Sequence, residues 1–367
     1  MMSGPAVYSQ ALLEQARSVR TLTSSYQSCR RITRHHARSF YYASPVLPRE
    51  KRRASYAIYA FCRVADDTVD RAAEFGGAAA IAPALAGMAC WLDFAYACHD
   101  PSRRSCQCEG SCAIATVCPA WLPAFADTVR RFELPRSIFD DLLSGVAMDL
   151  TASTYPSFEQ LLEYCHKVAG VVGVMMTCVF GYREPSVLRH AAAMGVAMQL
   201  TNICRDVAED ARIGRCYLPA EWLREAGLTP ADVVAAGSPQ PGAREHGLAR
   251  LEPVTRRLID TARRYFQYAW MGVPGVTDPL GRACILIMGQ VYADILLAVE
   301  QQSCDPFAGR AHRTARQKLV RVAQMLGRVD CWLAGQSRVY DPWPEHHGEV
   351  ELWWPDRCGM PAAHAVA

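Results

Sequence analysis

The chain has 367 residues, of which 51% are hydrophobic and 20% are charged, and its formal net charge is +3. This composition is typical of a globular enzyme with a sizeable core, and it gives no support for nucleic-acid binding, which needs a strong basic excess. Sixteen cysteines would indicate disulfides in a short secreted chain. The chain is long, however, and its first residues lack the pattern of a secretory leader, so we expect a reducing cytoplasm and mostly buried thiols.

The N-terminal part of the chain is weakly patterned. Residues 1–28 show only a short helical pattern, and we expect a loosely packed arm there. Basic residues then cluster in 29–38 and 49–53. Such clusters are usually solvated helix faces, and otherwise they line sites for anions or phospholipid headgroups. Apolar side chains recur at helical spacing from 52 to 73, which predicts a helix.

The stretch 199–219 carries the strongest chemical signal. On a helix, Asn202, Asp206 and Asp210 fall at i, i+4 and i+8, so their side chains form one column along a single face. Gln199 and Arg205 flank this column. Carboxylates at this spacing repel one another, whereas a divalent cation neutralises them. The column therefore predicts a site for hard cations.

A second acidic column lies on the helix predicted for 52–73. Asp66 and Asp70 share a face at i and i+4, and Tyr59, Arg63, Asp67 and Asp70 lie along one stripe of this helix. The guanidinium one turn before the acids is placed to bind phosphate oxygens that a metal leaves exposed. Two oxygen-rich columns on two helices can hold hard cations between them. Together they predict magnesium and a diphosphate substrate.

The helical pattern stops between 99 and 119, where four cysteines follow one another at Cys106, Cys108, Cys112 and Cys118. Their spacing, C-x-C-x3-C-x5-C, differs from the paired C-x2-C knuckles of zinc sites. It also lacks the spacing of iron–sulfur ligands. A polar surface insertion with incidental thiols is therefore favoured over a metal cluster.

Helical periodicity resumes at 121–132, 135–150 and 157–180. The last of these begins with a capping box predicted from Ser157 and Gln160. It also contains Gly170 and Gly173, which leave two interpretations open. They allow close helix packing, or they leave a channel for a long apolar substrate, with methionines 175 and 176 as adaptable walls.

The remaining segments are also predicted to be helical or irregular. Gly214 and Pro219 indicate the end of the helix that carries the 199–219 column. We expect a mobile connection at 226–247, three helices at about 248–271, 278–302 and 312–337, and an irregular tail over 341–367 that covers the surface or contacts a membrane. No segment predicts a transmembrane helix, a Rossmann fingerprint or a P-loop. The fold class that follows is an all-α bundle with an apolar interior.

The motifs, taken in order, resemble the squalene/phytoene synthase family over about residues 29–335, and within it most closely the bacterial phytoene synthases. The sequences that carry this resemblance are ARSFYYASPVLP, AIYAFCRVADDTVD, GVAMDL, YCHKVAGVVGVMM and QLTNICRDVAEDARIGRCYLP. The resemblance implies an isoprenoid-synthase-type helical bundle with a central active-site cavity. It also implies one catalytic domain over 29–340, between the arm 1–28 and the tail 341–367.

The reaction implied by the resemblance is the head-to-head (1′-1) condensation of two geranylgeranyl diphosphates, through prephytoene diphosphate, to phytoene in carotenoid biosynthesis. The cofactor implied is Mg²⁺, with Mn²⁺ as a substitute, and NADPH is not expected. The alternatives are a squalene or dehydrosqualene synthase that uses farnesyl diphosphate, and a non-catalytic relative that acts as an assembly protein. We expect a cytoplasmic protein with peripheral contact at the inner membrane surface, and a monomer by default.

The resemblance also implies roles for individual residues. Metal ligands would be Asp66, Asp70, Asn202, Asp206 and Asp210, and the catalytic set would add Asp67, Tyr59 and Tyr217. Substrate or diphosphate would contact His36, Arg38, Ser39, Phe40, Arg63, Tyr164, Gln199, Arg205 and Tyr292. For Tyr292 the residue pattern alone favours core packing. The proton acceptor is left open between the released diphosphate and a tyrosine hydroxyl.

Overall fold

The computed structural model describes residues 10–97, 118–151, 153–238, 250–311 and 313–326, and the side chains of Ser39 and Asp70 are not among those described. Within these ranges the regular elements are helices, and two isolated β-bridges pair residues of the connecting segments. This confirms the predicted all-α class. The described residues divide into two compact units: residues up to Leu150 with Met175–Gly181, and Thr151–Val174 with the residues from Tyr182 onward. The domain limits predicted from the sequence stay a prediction.

The first unit is built on one long helix. Its helices are α1 (Gln10–Arg17), α2 (Val19–His36), α3 (Arg38–Ala43), α4 (Arg49–Ala97), α5 (Leu122–Arg131) and α6 (Ser137–Thr151). The core joins α4, α5 and α6 through aromatic rings: Phe61 stacks on Phe125 at 4.4 Å, and Phe139 meets both edge-on at 5.4 and 5.1 Å. Such ring pairs add about 0.5–1.5 kcal/mol each beyond the area they bury.

The structure differs over 10–28 from the loosely packed arm expected for residues 1–28, of which 1–9 lie outside the described ranges. From Gln10 the chain is helical, and Leu13 is buried. Polar contacts fix α2 on α5, because the Ser25 hydroxyl accepts from the Ala124 amide at 2.9 Å and the Tyr26 hydroxyl donates to Asp127 at 2.9 Å. An apolar pattern cannot indicate packing that depends on such polar pairs.

Helix α4 is also longer than predicted. It continues from 73 to Ala97, through the alanine-rich run and Pro83. Alanine has the highest helix propensity, so this composition extends a helix that glycine and proline would otherwise end. Its last turns carry the buried side chains of Met88, Leu92 and Phe94.

The second unit is organised around α9. In chain order its elements are α7 (Phe158–Cys165), a π-helical turn (His166–Gly170), α8 (Val171–Phe180, of which Met175–Phe180 belongs to the first unit), α9 (Ser186–Arg212), α10 (Ala220–Glu225), α11 (Pro230–Ala236), α12 (Leu251–Met271), α13 (Pro279–Gln301) and α14 (Ala315–Leu326). The sequence predicted the end of α9 correctly, since the helix stops at Arg212 and Gly214 follows with φ +79°. Its start, thirteen residues before Gln199, was not recognised.

Caps refine two predictions in this unit. Ser157 caps α7 by accepting from the Gln160 amide at 3.3 Å, but the Phe158 amide donates to Glu221 at 2.8 Å. A reciprocal capping box occurs instead at Thr229, whose hydroxyl accepts from Asp232, while the Asp232 carboxylate accepts from the Thr229 amide. This box starts α11 inside the segment expected to be a mobile connection, so that expectation is wrong for Pro230–Ala236. Residues 239–249 lie outside the described ranges.

The glycines near the π-helical turn allow close helix packing. A Cβ on Gly195 of α9 would lie 2.0 Å from the Ala169 carbonyl oxygen, and one on Gly173 would lie 2.1 Å from the Ala191 oxygen. Both distances are far below van der Waals contact. The packing interpretation is therefore confirmed for Gly173, and the substrate channel stays a prediction.

Two helical stretches, Phe158–Phe180 and Pro279–Gln301, have the length and hydropathy of a membrane span. Their most apolar windows are 56% and 72% buried within the protein, as in core helices. In α13, the buried Gln290 amide donates to Asp294 at 2.8 Å, and Arg321 pairs with the same carboxylate at 2.8 Å. Buried polar groups with partners of this kind are typical of a protein core.

Candidate active site

The α9 column forms as the sequence predicts, with Asn202, Asp206 and Asp210 half-buried along the helix. Arg205 binds the neighbouring Asp206 in a fork: its Nε lies 2.7 Å from one carboxylate oxygen, and an Nη contacts the other. The Asn202 amide donates to Gln199 Oε1 at 3.2 Å. The flanking residues named from the sequence therefore contact the column itself.

A residue that the sequence analysis missed completes the charge balance of this column. Arg310, in the loop after α13, reaches Asp206 with Nε and Nη2, each 3.0 Å from Oδ1. One carboxylate thus lies between two guanidiniums, and the group carries surplus positive charge that a diphosphate can use. The sequence signal was slight: a basic run, GRAHR, that follows a predicted helix without a period of its own.

Tyr292 of α13 lies beside the same pair. Burial raises the pKa of its hydroxyl, while the Arg205 charge acts to lower that pKa and the Asp206 charge to raise it. The phenol is therefore neutral and next to the Arg205–Asp206 pair. This position fits a site residue at least as well as the core role that its sequence pattern favoured.

Three tyrosines form a cluster of rings in the second unit. Tyr217 stacks on Tyr155 at 5.9 Å and on Tyr164 at 5.5 Å, and Tyr155 and Tyr164 lie 5.3 Å apart. The turn after α9 brings Tyr217 there, because the Arg215 amide donates to the Asp210 carbonyl at 2.9 Å and the Arg215 guanidinium reaches the Tyr217 hydroxyl at 3.4 Å. Aromatic faces attract positive charge. Tyr155 was not singled out in the sequence, since it lies in the short segment between the helices predicted at 135–150 and 157–180.

The α4 column in the first unit has a different arrangement. Arg63 forms an ion pair with Asp67 at i+4, and Asp66 is exposed. Beside them the Tyr59 ring lies 6.4 Å from Phe40. Burial and the positive charge of Arg63 lower the pKa of His36, while Asp67 acts in the opposite direction. The structure therefore gathers these predicted residues in one place.

Other predicted site residues are only partly located. Arg38 is exposed at the start of α3, and Ser39 and Asp70 lie on α3 and α4 without described side chains. Of the cysteine-rich stretch, Cys106, Cys108 and Cys112 lie outside the described residues. Cys118 is described as a free thiol.

The donor atoms on each column fit a hard cation. They are carboxylate and amide oxygens, with no thiol or imidazole in either i, i+4 series. Among the described side chains, no three His, Cys, Asp or Glu groups are close enough to share an ion. At Asp206 two guanidiniums take the place that a cation would fill. The chemistry of the donor set matches Mg²⁺ or Mn²⁺.

Comparison with known proteins agrees with this chemistry. Residues 33–319 match the squalene/phytoene synthase family. The chain belongs to this family. It is 36% identical over 303 residues to the phytoene synthase of Cereibacter sphaeroides, covering 81% of this chain and 78% of that one. It is 33% identical over 316 residues to the 15-cis-phytoene synthase of Pantoea ananas, covering 84% and 93%.

Solved structures show the same fold. A dehydrosqualene synthase in complex with a ligand aligns with a TM-score of 0.68 at 24% identity, covering 85% of this chain and 98% of that one. The squalene synthase HpnC from Alicyclobacillus acidocaldarius aligns with a TM-score of 0.60 at 26% identity, covering 80% and 100%. The predicted isoprenoid-synthase fold is confirmed. As a member of this family, the chain is a prenyltransferase that acts on prenyl diphosphates.

Proposed function

We propose that the chain is a phytoene synthase, which joins two geranylgeranyl diphosphates head to head through prephytoene diphosphate and releases diphosphate. The observation that carries the diphosphate chemistry is Asp206, held between Arg205 and Arg310 beside Tyr292. The chain-length assignment is supported by identities of 32–36% to proteins named phytoene synthase. The reaction belongs to carotenoid biosynthesis.

The arginines would stabilise the leaving group. When an allylic C–O bond ionises, negative charge develops on the diphosphate, and preorganised guanidiniums lower the barrier by binding that charge. Arg205 and Arg310 in the second unit, and Arg63 in the first, are the groups available for this role. Each already lies against a carboxylate, so each is held in place before substrate binds.

We propose that each column binds Mg²⁺, with Mn²⁺ as a substitute: Asp66 and Asp70 would hold it on α4, and Asn202, Asp206 and Asp210 would hold it on α9. The cation supplies Lewis-acid stabilisation of the diphosphate oxygens. The side chains of this chain provide its oxygen ligands and, through their arginine neighbours, limit the repulsion between adjacent carboxylates. Asp67, which pairs with Arg63, orients the guanidinium.

The rest of the site would protect the carbocation. Water quenches an allylic cation, so the acceptor double bond has to meet the cationic carbon in an apolar space. The π faces of the Tyr155–Tyr164–Tyr217 cluster attract positive charge, and the ring carbons do not add to the cation as water does. The lost proton passes either to the released diphosphate or to a tyrosine hydroxyl.

Product analysis tests this function. The purified chain is incubated with geranylgeranyl or farnesyl diphosphate, each with Mg²⁺, with and without NADPH, and with EDTA. We expect a C40 hydrocarbon from geranylgeranyl diphosphate without NADPH, and no product in EDTA until Mg²⁺ or Mn²⁺ is restored. A C30 hydrocarbon from farnesyl diphosphate, with none from the longer substrate, would replace the proposal with a squalene or dehydrosqualene synthase. No turnover of any prenyl diphosphate would support the non-catalytic alternative.

We also propose that the protein is cytoplasmic and attached peripherally to the inner membrane. Two features support this attachment. The prenyl chains of substrate and product are hydrophobic, and the basic segments at 29–38 and 49–53 can bind anionic lipid headgroups. Cell fractionation tests this: the protein should pellet with membranes at low salt and be released at high salt. Recovery entirely in the soluble fraction at low salt would refute the attachment. The monomer expected by default is checked by sedimentation.

A further inference from the structure

A basic cavity of about 380 Å³ lies in the first unit, outside the predicted site residues. Arg30, Arg49, Arg52 and Arg53 line it, together with the rings of several tyrosines. We call it the arginine pocket. Its volume is sufficient for a phosphate group with its substituents, and at the small end of the range for ligand sites in proteins.

The pocket is built by α2, α3 and the first turns of α4. Arg49, Arg52 and Arg53 fall at i, i+3 and i+4, so the sequence places their side chains on one face of α4. Arg30 comes from α2 and is held by the Tyr41 hydroxyl, to which its Nε and Nη2 donate at 3.1 and 2.9 Å. At least one of the cations is therefore positioned in advance.

A second cation is also held by an aromatic ring. The Arg53 guanidinium lies 5.4 Å from the centre of the Tyr26 ring. The hydroxyl of Tyr26 is in turn fixed by Asp127 at 2.9 Å. Preorganised donors bind an anion with less loss of side-chain entropy than free lysines or arginines do.

The charges in the pocket are not balanced by ion pairs with the carboxylates that the structure describes. In the described part of the chain, no ion pair joins a carboxylate to any of these four arginines. Two acids beside the pocket are themselves paired. Glu50, which lines the adjoining cavity, contacts Arg131 at 3.0 Å, and Asp127, which binds Tyr26, contacts Arg131 at 2.8 Å. Like charges at i and i+3 or i+4 destabilise a helix unless a counter-ion lies between them.

The edge of the pocket is aromatic and exposed. Tyr42, which lines the cavity, is 73% exposed although it is a large ring. Rings of this kind with a polar tip are favoured where water meets an apolar phase. The N-terminus of α4 at Arg49 adds a partial positive charge beside the arginines of this helix.

We propose that the arginine pocket is a second phosphate-binding site, which takes the phosphate group of an anionic phospholipid or of a small free phosphate such as inorganic diphosphate. It is separate from the α4 column, because the eleven residues from Arg52 to Arg63 span about 16 Å along the helix. The inference does not depend on which prenyl diphosphate the enzyme uses.

The test compares Arg49→Gln/Arg52→Gln with a matched control, Arg17→Gln/Arg20→Gln, in the full chain. The control removes the same charge from exposed positions of the same unit. Calorimetry with inorganic diphosphate in EDTA measures free phosphate binding without metal-dependent binding at the acidic columns. Flotation with phosphatidylcholine vesicles, with and without phosphatidic acid, measures lipid binding. Thermal melts confirm that both variants are folded.

We expect the pocket variant to bind one or both probes about tenfold more weakly than the wild type, while the control binds as the wild type does. If the pocket variant loses affinity only for diphosphate, the ligand is a free phosphate. If it loses affinity only for vesicles with phosphatidic acid, the ligand is a lipid headgroup. The proposal is overturned if the wild type binds neither probe. It is equally overturned if the pocket variant binds both probes normally, or if the two variants weaken binding to the same extent.

Discussion

The two acidic columns have the same sequence pattern and different electrostatic surroundings. On α9, Asp206 is half-buried between Arg205 and Arg310. On α4, Asp66 is exposed, and the guanidinium of Arg63 pairs with Asp67. Two arginines therefore offset the charge of Asp206 before a metal binds, whereas Asp66 of the α4 column is exposed to solvent. A spacing motif specifies the ligands, and the neighbouring arginines decide how strongly each ligand set attracts a cation.

The largest effect is expected from removing a carboxylate of either column. Asp210→Asn and Asp66→Asn should each lower turnover by about 100- to 1,000-fold, because each removes a carboxylate that would hold the cation, and the cation stabilises the ionising diphosphate. Helical content, measured by circular dichroism, should be unchanged, since neither side chain is part of the hydrophobic core.

The controls for this prediction are Asp260→Asn in the second unit and Asp140→Asn in the first, which remove carboxylates outside the columns. Their turnover should stay near that of the wild type. If only one of the two column variants lost activity, the columns would not share one function, and the comparison between them would fail.

Packing beneath the α9 column is the next largest expected effect. Gly195→Ala should destabilise the protein by about 3 kcal/mol, because the new Cβ would meet the Ala169 carbonyl at 2.0 Å. Gly87→Ala on α4 is the matched control, with nothing within 4 Å of the added Cβ, and should stabilise the protein by about 0.5–1 kcal/mol. Thermal unfolding measures both. Equal melting temperatures would show that α9 does not depend on this close approach.

The π-helical turn next to α9 predicts a pH dependence of stability. Burial lowers the pKa of His166 to about 4 from its ordinary value. Between these two pKa values, His166 is protonated in the unfolded chain and neutral in the folded chain. The free energy of unfolding therefore falls as the pH drops from the ordinary pKa towards 4. At about pH 5 the loss should be about 2 kcal/mol.

Urea unfolding at neutral pH and at about pH 5 measures this slope. His166→Asn should remove most of it, whereas His35→Asn, at an exposed position of α2, should retain it. An unchanged slope in His166→Asn would assign the pH dependence to another group.

The smallest effect is expected from removing Arg310, the arginine that reaches the α9 column from a loop. Arg310→Gln should lower kcat/KM about tenfold, which corresponds to about 1.4 kcal/mol of lost charge stabilisation. The same change should lower the Mg²⁺ concentration for half-maximal activity, because one competitor for Asp206 is gone. Steady-state kinetics over a range of Mg²⁺ concentrations measures both quantities. A higher Mg²⁺ requirement would show that Arg310 supports the metal ligand instead of competing with a cation.

The columns could be predicted from sequence because their residues are close neighbours on single helices. Asn202, Asp206 and Asp210 need only the helical repeat to meet, and the same holds for Arg63 and Asp67. Arg310 could not be found in this way, because it reaches Asp206 from a loop more than a hundred residues later. Long-range contacts of this kind depend on how helices pack, which a local period does not specify.

The fold shows the same limit. Helix periods located most elements, but the ordered arm depends on the Tyr26–Asp127 contact across two helices. Helix α11 depends on the reciprocal cap at Thr229, whose short polar pattern was overlooked beside the glycine- and proline-rich residues that follow. The arginine pocket was foreseen only as one of two uses for a basic cluster. Its cavity depends on the packing of α2 and α3 on α4.

The most direct test of the central claim is a competition between the two substrates. The purified chain receives equal amounts of farnesyl and geranylgeranyl diphosphate with Mg²⁺ and no NADPH, and mass spectrometry determines the carbon number of the hydrocarbon formed. The account predicts that the C40 product, phytoene, predominates. A predominantly C30 product would contradict it.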